Sequence, residues 1–219
     1  MARPRGPFVS LPPALLPSNK TVLTGRTITL EKLQPKHAKD LFNLVGEEFE
    51  RNIAARSASL DPFFFAIIDK RSSVPTSGKP IGYLTLMRIT PEQWTVEIGN
   101  VMLSAAVQRT TGATEAFYLL ARHAFEDLNY RRFEWKCDSL NSPSRKAALR
   151  LGFTFEGIFR QHMVVKGRSR DTAWFSIVRD EWDSGVKYAM EKWLDGENFD
   201  ENGNQKKALQ DYKLGSTAN

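Results

Sequence analysis

The stretch Ser104-Ala105-Ala106-Val107-Gln108-Arg109-Thr110-Thr111-Gly112-Ala113-Thr114-Glu115-Ala116 carries the most legible chemistry in the chain. Small residues from Thr110 to Ala113 let the backbone come close to a ligand. A helix is expected to start behind them, and its first turn offers unpaired N–H groups and the positive end of a dipole. Arg109 adds a cation, so the segment can cradle a phosphate or a pyrophosphate. The plainer reading of the same residues is a tight turn capped by Thr114.

Other reactive residue types do not cluster. Cys137, the one cysteine, shares a strand face with Phe133 and Trp135, which makes it a core thiol rather than a nucleophile. His37, His123 and His162 have no spacing that builds a metal site, and none is expected. The run Asn198-x-Asp200-x-Asn202-Gly203 begins like a calcium loop, but its twelfth position is Leu209 where a bidentate carboxylate is needed.

These residues need elements to position them. Arg26 to Leu33 alternates and reads as a strand; Lys36 to Val45 has helical spacing; Phe63 to Ile68 is a short buried strand. A polar loop, Arg71 to Lys79, precedes two strands, Ile81 to Ile89 and Trp94 to Leu103. Ala116, Leu120, Ala124 and Leu128 recur every fourth residue and predict a helix from Thr114 to Leu128. Arg132 to Asp138 alternates between Phe133, Trp135 and Cys137 on one face and Glu134, Lys136 and Asp138 on the other. Ser142 as N-cap, Pro143 at the first helical position and Gly152 as the stop predict a short helix. Strands at Gly157 to Lys166 and Thr172 to Val178 flank a turn at Gly167-Arg168-Ser169. A helix from Asp180 through Tyr188 and Trp193 leads to a polar tail expected to fray after Leu214. The order is that of a mixed α/β sheet with helices packed on it.

The 219 residues fit one domain with extensions: a Pro-rich arm (1–24), a central domain (25–182), and a C-terminal helix with a polar tail (183–219). Hydrophobic residues make up 41% and charged residues 26%, which excludes wholesale disorder. A net charge of +6 suits a polyanionic partner without choosing among nucleic acid, membrane and phosphorylated cofactor. The longest apolar runs are too short to span a bilayer, and prolines interrupt the N-terminal segment where a signal peptide needs an apolar middle. With one cysteine excluding an internal disulfide, a soluble cytoplasmic protein without a membrane partner is expected.

The motifs Glu97-Ile98-Gly99, Gln108-x-x-Thr111-Gly112-Ala113-Thr114-Glu115-Ala116, Asn141-x-x-Ser144 and Leu151-Gly152-Phe153 together resemble the GNAT acetyltransferases. The closest likeness is to the branch of the ribosomal-protein N-terminal acetyltransferases, the Rim type. The resemblance covers roughly residues 25 to 182, and the order and spacing of the motifs are more specific than any one of them. Thr111 stands where the family has the first glycine of its loop, and threonine resists positive φ.

The resemblance implies an α/β (mixed α+β) fold with a central, mostly antiparallel, splayed sheet flanked by helices. It implies acetyl-CoA as co-substrate and a primary amine as acceptor, either a protein N-terminus or a small molecule, with direct transfer in a ternary complex. Backbone at Val101, Met102 and Leu103 would pair with the pantetheine arm. Gln108, Arg109, Thr110, Thr111, Gly112, Ala113 and Thr114 would wrap the pyrophosphate, and Asn141 would bond the arm from the far side. Arg145 and Arg150 could meet the phosphates, Arg145 being the better candidate and Arg150 a residue of a solvated helix face.

Amine acetylation needs a base for the amine and a partner for the departing thiolate. Glu97, opposite in facing to Val96 and Ile98, is the candidate base; a solvated strand carboxylate is the alternative. Ser144 is the candidate donor to the sulfur; a helix N-terminal hydroxyl is the alternative. His162 is a candidate residue of the acceptor pocket. The competing function is a non-catalytic acyl-CoA-binding module, which the loss of the loop glycine at Thr111 favours and the presence of Glu97, Asn141 and Ser144 opposes. Basic residues are too scattered for a nucleic-acid surface. Self-association as a homodimer stays open.

Overall fold

Alternation in the strand Arg132–Asp138 is realised in three dimensions: Phe133, Trp135 and Cys137 are buried, while the residues between them are half-buried on the opposite face. The computed structural model, which describes residues 6–45 and 52–213, places this strand inside an eight-stranded sheet. In chain order the elements are β1 (Val22–Thr24), β2 (Ile28–Lys32), α1 (Ala38–Val45), α2 (Ile53–Ala58), β3 (Phe63–Asp69), β4 (Pro80–Thr90) and β5 (Thr95–Leu103). Then follow α3 (Thr111–Arg122), β6 (Arg132–Asp138), α4 (Ser142–Arg150), β7 (Thr154–Val165) and β8 (Arg168–Val178). A short α5 (Arg179–Glu181) passes through a π-helical turn (Trp182–Val186) into α6 (Lys187–Leu194).

The sheet order is β1-β2-β3-β4-β5-β6-β8-β7, antiparallel throughout except for β5 beside β6. The mixed α/β fold with a mostly antiparallel sheet is therefore as expected. Phe63, Phe65 and Ile67 join the main core, whereas Phe64 and Ala66 face a second cluster with Leu33, Leu41, Ile53 and Tyr83. A strand buried on both faces reads as an unbroken apolar run. So α1 and α2 cover one face of the sheet, and α3, α4 and α6 cover the other. α3 is buried nearly all round because the sheet lies on one side and α6 on the other; Tyr118 Oη donates to Glu191 Oε1 at 2.8 Å.

Several sequence boundaries move. α3 begins at Thr111 rather than Thr114, and past Arg122 it continues as a π-helical turn, His123–Asp127. β7 starts at Thr154, and the hairpin tightens to Lys166 and Gly167, with φ of 50° and 75°. Two central residues with positive φ match the twist of a long hairpin, so Arg168 and Ser169 are strand rather than turn. The Pro-rich arm is attached: Leu15 N donates to Leu128 O, Trp94 Nε1 donates to Pro12 O, and its last residues form β1. α2 was not legible in sequence. The expectation of fraying past Leu214 lies outside the described residues. Among the described residues, no helix is long and apolar enough to cross a membrane.

One topological feature positions the site. β5 and β6 are in register over Thr95–Ile98 against Arg132–Trp135, and no further. From Gly99 and Lys136 onward the two strands part. β5 stays with β4 as far as Leu103, through a bulge at Asn100, where φ is 44°. The sheet thus opens between its two parallel members.

Candidate active site

The loop Gln108–Thr114 lies where the sequence puts it, at the N-terminus of α3. Thr110 is the N-cap, with its hydroxyl turned back to Val107 O at 2.7 Å. The left-handed residue is Arg109, at φ 59°, whereas Thr111 is the first helical residue. Threonine in place of the family's glycine therefore meets no backbone penalty here. Gln108 is exposed and its Nε2 donates to Leu103 O at 2.7 Å, tying the loop to the end of β5. Arg109 through Thr114 line a cavity of about 880 Å³, together with Leu103, Phe117, Ala147, Arg150 and Leu151.

α4 forms the cavity's second wall. Its N-cap is Asn141, whose Oδ1 accepts from Ser144 N at 3.1 Å, so Ser142 and Pro143 are the first and second helical residues. This corrects the expected start by one residue: an Asn carboxamide reaches the N3 amide, leaving Ser142 no capping role. Ser144, Ala147 and Leu151 share one stripe of the helix. Ala147 and Leu151 line the cavity, and Ser144 stands at the end of that stripe nearest the sheet opening. Its hydroxyl caps nothing. Ser144 Oγ accepts from Trp135 Nε1 at 3.0 Å, and Trp135 sits at the last position of β6 paired with β5.

The two arginines of α4 exchange the places expected of them. Arg145 Nη1 donates to Ser139 O, and its guanidinium lies over the Phe155 ring, away from the cavity. Arg150 lines the cavity; its Nη1 donates to Thr114 Oγ1 at 3.0 Å and its guanidinium stacks on Trp193, 4.9 Å from the ring centre. At about 100° per residue, Arg150 flanks the Ala147 side of the stripe and Arg145 the other.

Glu97 is on the opposite face of the sheet from Val96 and Ile98, and it is buried, not solvated. Its Oε2 accepts from Lys136 Nζ at 2.9 Å and pairs with Arg88 Nε at 3.2 Å. Lys136 also reaches Glu134 Oε2 at 2.7 Å and lies on the Trp174 ring, 3.8 Å from its centre. Burial pushes the Glu97 carboxyl above the ordinary glutamate value, although Lys136 and Arg88 pull it down. Oε1 accepts no hydrogen bond from the described residues, and it lies 3.9 Å from where a Cβ on Gly99 would stand. Gly99 is the first residue beyond the paired segment. The carboxylate is thus anchored through one oxygen and presents the other where the strands part. On the same face, His162 Nδ1 meets Thr172 Oγ1 at 2.9 Å, and the His162, Phe159 and Trp174 rings pack together.

An open pair of parallel strands, a helix N-terminal loop at one end and a hydroxyl at the other form a recognisable arrangement. Residues 27–154, more than half of the chain, match the acetyltransferase (GNAT) domain family. The chain belongs to the GNAT acetyltransferases. A crystal structure of a GCN5-related N-acetyltransferase from Brucella melitensis superposes with a TM-score of 0.83 and 44% identity, covering 91% of this chain and 96% of that one. An uncharacterised N-acetyltransferase, p20, of Bacillus licheniformis is 37% identical over 70 residues, 32% of this chain and 39% of that one. A Bacillus subtilis (strain 168) protein named as a candidate ribosomal N-acetyltransferase, YdaF, is 25% identical over 179 residues, 74% of this chain and 97% of its own length.

Sequence patterns did not mark several contributors to the site of this GNAT protein. Trp135 was read as core, and nothing in a strand pattern announces that its indole N–H leaves the core to meet Ser144. Arg88 and Lys136, the partners of Glu97, come from the strands on either side of it, the preceding β4 and the more distant β6. The far wall of the cavity is built by Trp193, Phe199 and Asn202 to Gln205, from beyond the matched region. Their Gly/Asn-rich composition signalled a loop but not a binding wall.

Proposed function

We propose that the chain moves an acetyl group from acetyl-CoA directly to a primary amine, of a protein N-terminus or a small molecule, in a ternary complex. The observation that carries this reading is the opening between β5 and β6, flanked by Glu97 on one face and by Trp135-held Ser144 on the other. The residues present fit acetyl-CoA. The amides at the start of α3, with Arg109 and Arg150, suit the pyrophosphate, in a cavity of sufficient size. The free edge of β5 at Val101 to Leu103 suits an amide-bearing arm, and the Asn141 carboxamide nitrogen, left over from capping, is available to bond it from the far side.

Glu97 takes the proton of the attacking ammonium, directly or through water, at Oε1. Its raised pKa makes the carboxylate a stronger base, while Lys136 and Arg88 hold it ionised and in place. The nitrogen then bonds to the acetyl carbon as the carbon–sulfur bond breaks, and the second proton it sheds in becoming an amide ends on the departing sulfur as the CoA thiol. Ser144 donates a hydrogen bond to that sulfur as its charge develops; Trp135, donating to Oγ, leaves the hydroxyl hydrogen free for it and polarises it. No covalent enzyme species is needed. Arg145, directed at Ser139 and Phe155, has no part in this scheme.

The test is to mix the protein with acetyl-CoA and a panel of amines and N-terminal peptides and to follow free thiol. Thiol release that depends on one amine class supports the proposal. Saturable acetyl-CoA binding with no transfer to any acceptor would turn the reading to a binding module.

A further inference from the structure

Past Lys136 the sheet face that carries Glu97 continues onto β8 and β7. Lys136 is level with Trp174 on β8 and lies on its ring, and Asp138 is level with Thr172. Ala173, Phe175 and Ile177 are buried in the core, so Thr172, Trp174 and Ser176 turn to the Glu97 face. The same alternation brings Arg170 and Arg168 onto that face further along β8. On β7, Phe159, Met163 and Val165 stand level with Thr172, Arg170 and Arg168, and Phe159 and Val165 are exposed. A row of apolar side chains thus runs beside a row of arginines. α1 and α2 pack over β4 and β3, in the other half of the sheet.

Charge on this hairpin is unbalanced. Between Gly157 and Asp171 stand four cations, Arg160, Lys166, Arg168 and Arg170, against one carboxylate, Asp171. None of the four forms an ion pair among the described residues. The carboxylates nearby are turned to other groups. Asp171 Oδ1 accepts from Gln161 N, Asp138 Oδ1 accepts from Leu140 N, and Glu156 holds Arg132 and Ser176. Lys166 and Arg168 are exposed, whereas Arg170 is half-buried and its Nε is buried without an acceptor. A buried donor without an acceptor is destabilising, and turning Arg170 outward to a carboxylate relieves it.

We infer that the Glu97 face of β7 and β8 is the docking surface of the acceptor, and that the acceptor is a polypeptide with acidic residues a short way behind its N-terminal amine. The inference rests on Glu97 being the proton acceptor proposed above, and it selects the protein N-terminus over the small amine. At about 3.3 Å per residue, Arg170 and Arg168 lie roughly 13 and 20 Å along β8 from Trp174. An extended chain with its amine at Glu97 covers that span in about four to six residues, whereas a small amine does not reach it. The strip that leads back to Glu97 is neutral, its three glutamates matched by Arg88, Lys136 and Arg132. It offers a phosphate backbone no continuous track of cations, which favours an acidic polypeptide over a nucleic acid.

Steady-state thiol release by the full chain with acetyl-CoA tests this. The acceptors are N-terminal peptides, in sets with different first residues, whose residues at that distance are all Glu, all Gln or all Lys; a small amine stands beside them. The kcat/KM should be about tenfold higher for the Glu peptide than for the Gln peptide, through KM, and lowest for the Lys peptide. The preference should shrink as salt rises. Arg168→Glu combined with Arg170→Glu should reverse it in favour of the Lys peptide, a change of sign that misfolding does not produce. Equal kcat/KM for the three peptides, a preference that survives the double substitution, or a small amine turned over as well as the Glu peptide would overturn the inference and leave acetyl transfer standing. Inhibition by single-stranded RNA that disappears in the double variant, with no peptide preference, would reassign the surface to nucleic acid. No transfer to any amine would instead overturn the reading of Glu97.

Discussion

Ser144→Ala separates structure from chemistry, because the structure predicts an effect on both. The hydroxyl accepts from Trp135 Nε1 at 3.0 Å, and Trp135 is 7% exposed. Alanine leaves a buried indole N–H without a partner, at a cost of about 1–3 kcal/mol in stability. The helix start is untouched, since Asn141 Oδ1 caps Ser144 through its backbone amide. In the reaction, a hydrogen bond to a charged acceptor is worth about 1.5–3 kcal/mol, which is roughly a 10- to 150-fold fall in kcat. The KM for acetyl-CoA should barely change, as the interaction is made mainly in the transition state. Trp135→Phe in the Ser144→Ala background resolves the two effects. The double variant should lose less stability than the sum of the single ones, because neither orphan remains, while kcat stays at the Ser144→Ala level. Urea melts paired with steady-state thiol release make the measurement. A folded Ser144→Ala that turns over normally would refute the argument and leave Ser144 as no more than the acceptor for Trp135.

Three further outcomes are expected. Glu97→Gln should cut turnover by about a hundredfold to ten-thousandfold without altering acetyl-CoA affinity, and the loss should shrink at high pH as the acceptor amine deprotonates by itself. The raised Glu97 pKa puts the acid limb of the wild-type kcat/KM profile above the ordinary glutamate value, and Glu97→Gln should lose that limb. In stability the same shift works the other way. The folded chain holds the Glu97 proton to higher pH than the unfolded chain, so this contribution is full at low pH and falls away as pH climbs through the raised value, which denaturant titrations of the two proteins compare. Thr111→Asp should weaken CoA by roughly tenfold or more, about 1.4 kcal/mol, by placing a carboxylate at the α3 N-terminus beside the pyrophosphate; unchanged calorimetric affinity would mean the loop binds something else. Glu115→Ala should destabilise by about 3 kcal/mol or more, because Arg26 N, Thr27 N, Thr27 Oγ1 and Ile28 N all donate to that buried carboxylate; a melt within about 1 kcal/mol of wild type would show that the turn finds other partners.

How much of this was legible follows from how local each feature is. The alternation of β6 and the four-residue spacing of α3 are written in consecutive residues, because a buried face imposes its period on the chain. The loop could be placed because it lies between the end of one element and the start of the next; Asn141 and Ser144 were marked by the family resemblance. The boundaries moved at helix starts: Asn141 caps α4 with its side chain, whereas α3 starts at Thr111 behind Thr110, whose hydroxyl bonds Val107 O instead of an amide of the helix. The choice between Arg145 and Arg150 was not available. Both flank one helical stripe, and only the position of α3 and Trp193 decides which flank meets the cavity.

The parting of β5 from β6 was least legible from the residues themselves and matters most. It arises from pairing that stops after Ile98 and Trp135, so neither strand announces it alone. Its consequence is that adjacent register positions send groups to opposite faces. Glu97 lies across from Glu134 on the face that α1 and α2 leave uncovered here; one residue further, Ile98 lies across from Trp135 on the face of α3 and α4. Trp135 carries Ser144. A period of two along the strands therefore places the proton acceptor and the hydroxyl donor on either side of one gap in the sheet. In the proposed reaction a thioester entering from the α3 side would meet an amine arriving from the Glu97 side within that gap. Slipping β6 by one residue would turn Trp135 to the Glu97 face and take its indole away from Ser144, and the parallel register over Thr95–Ile98 is what forbids it.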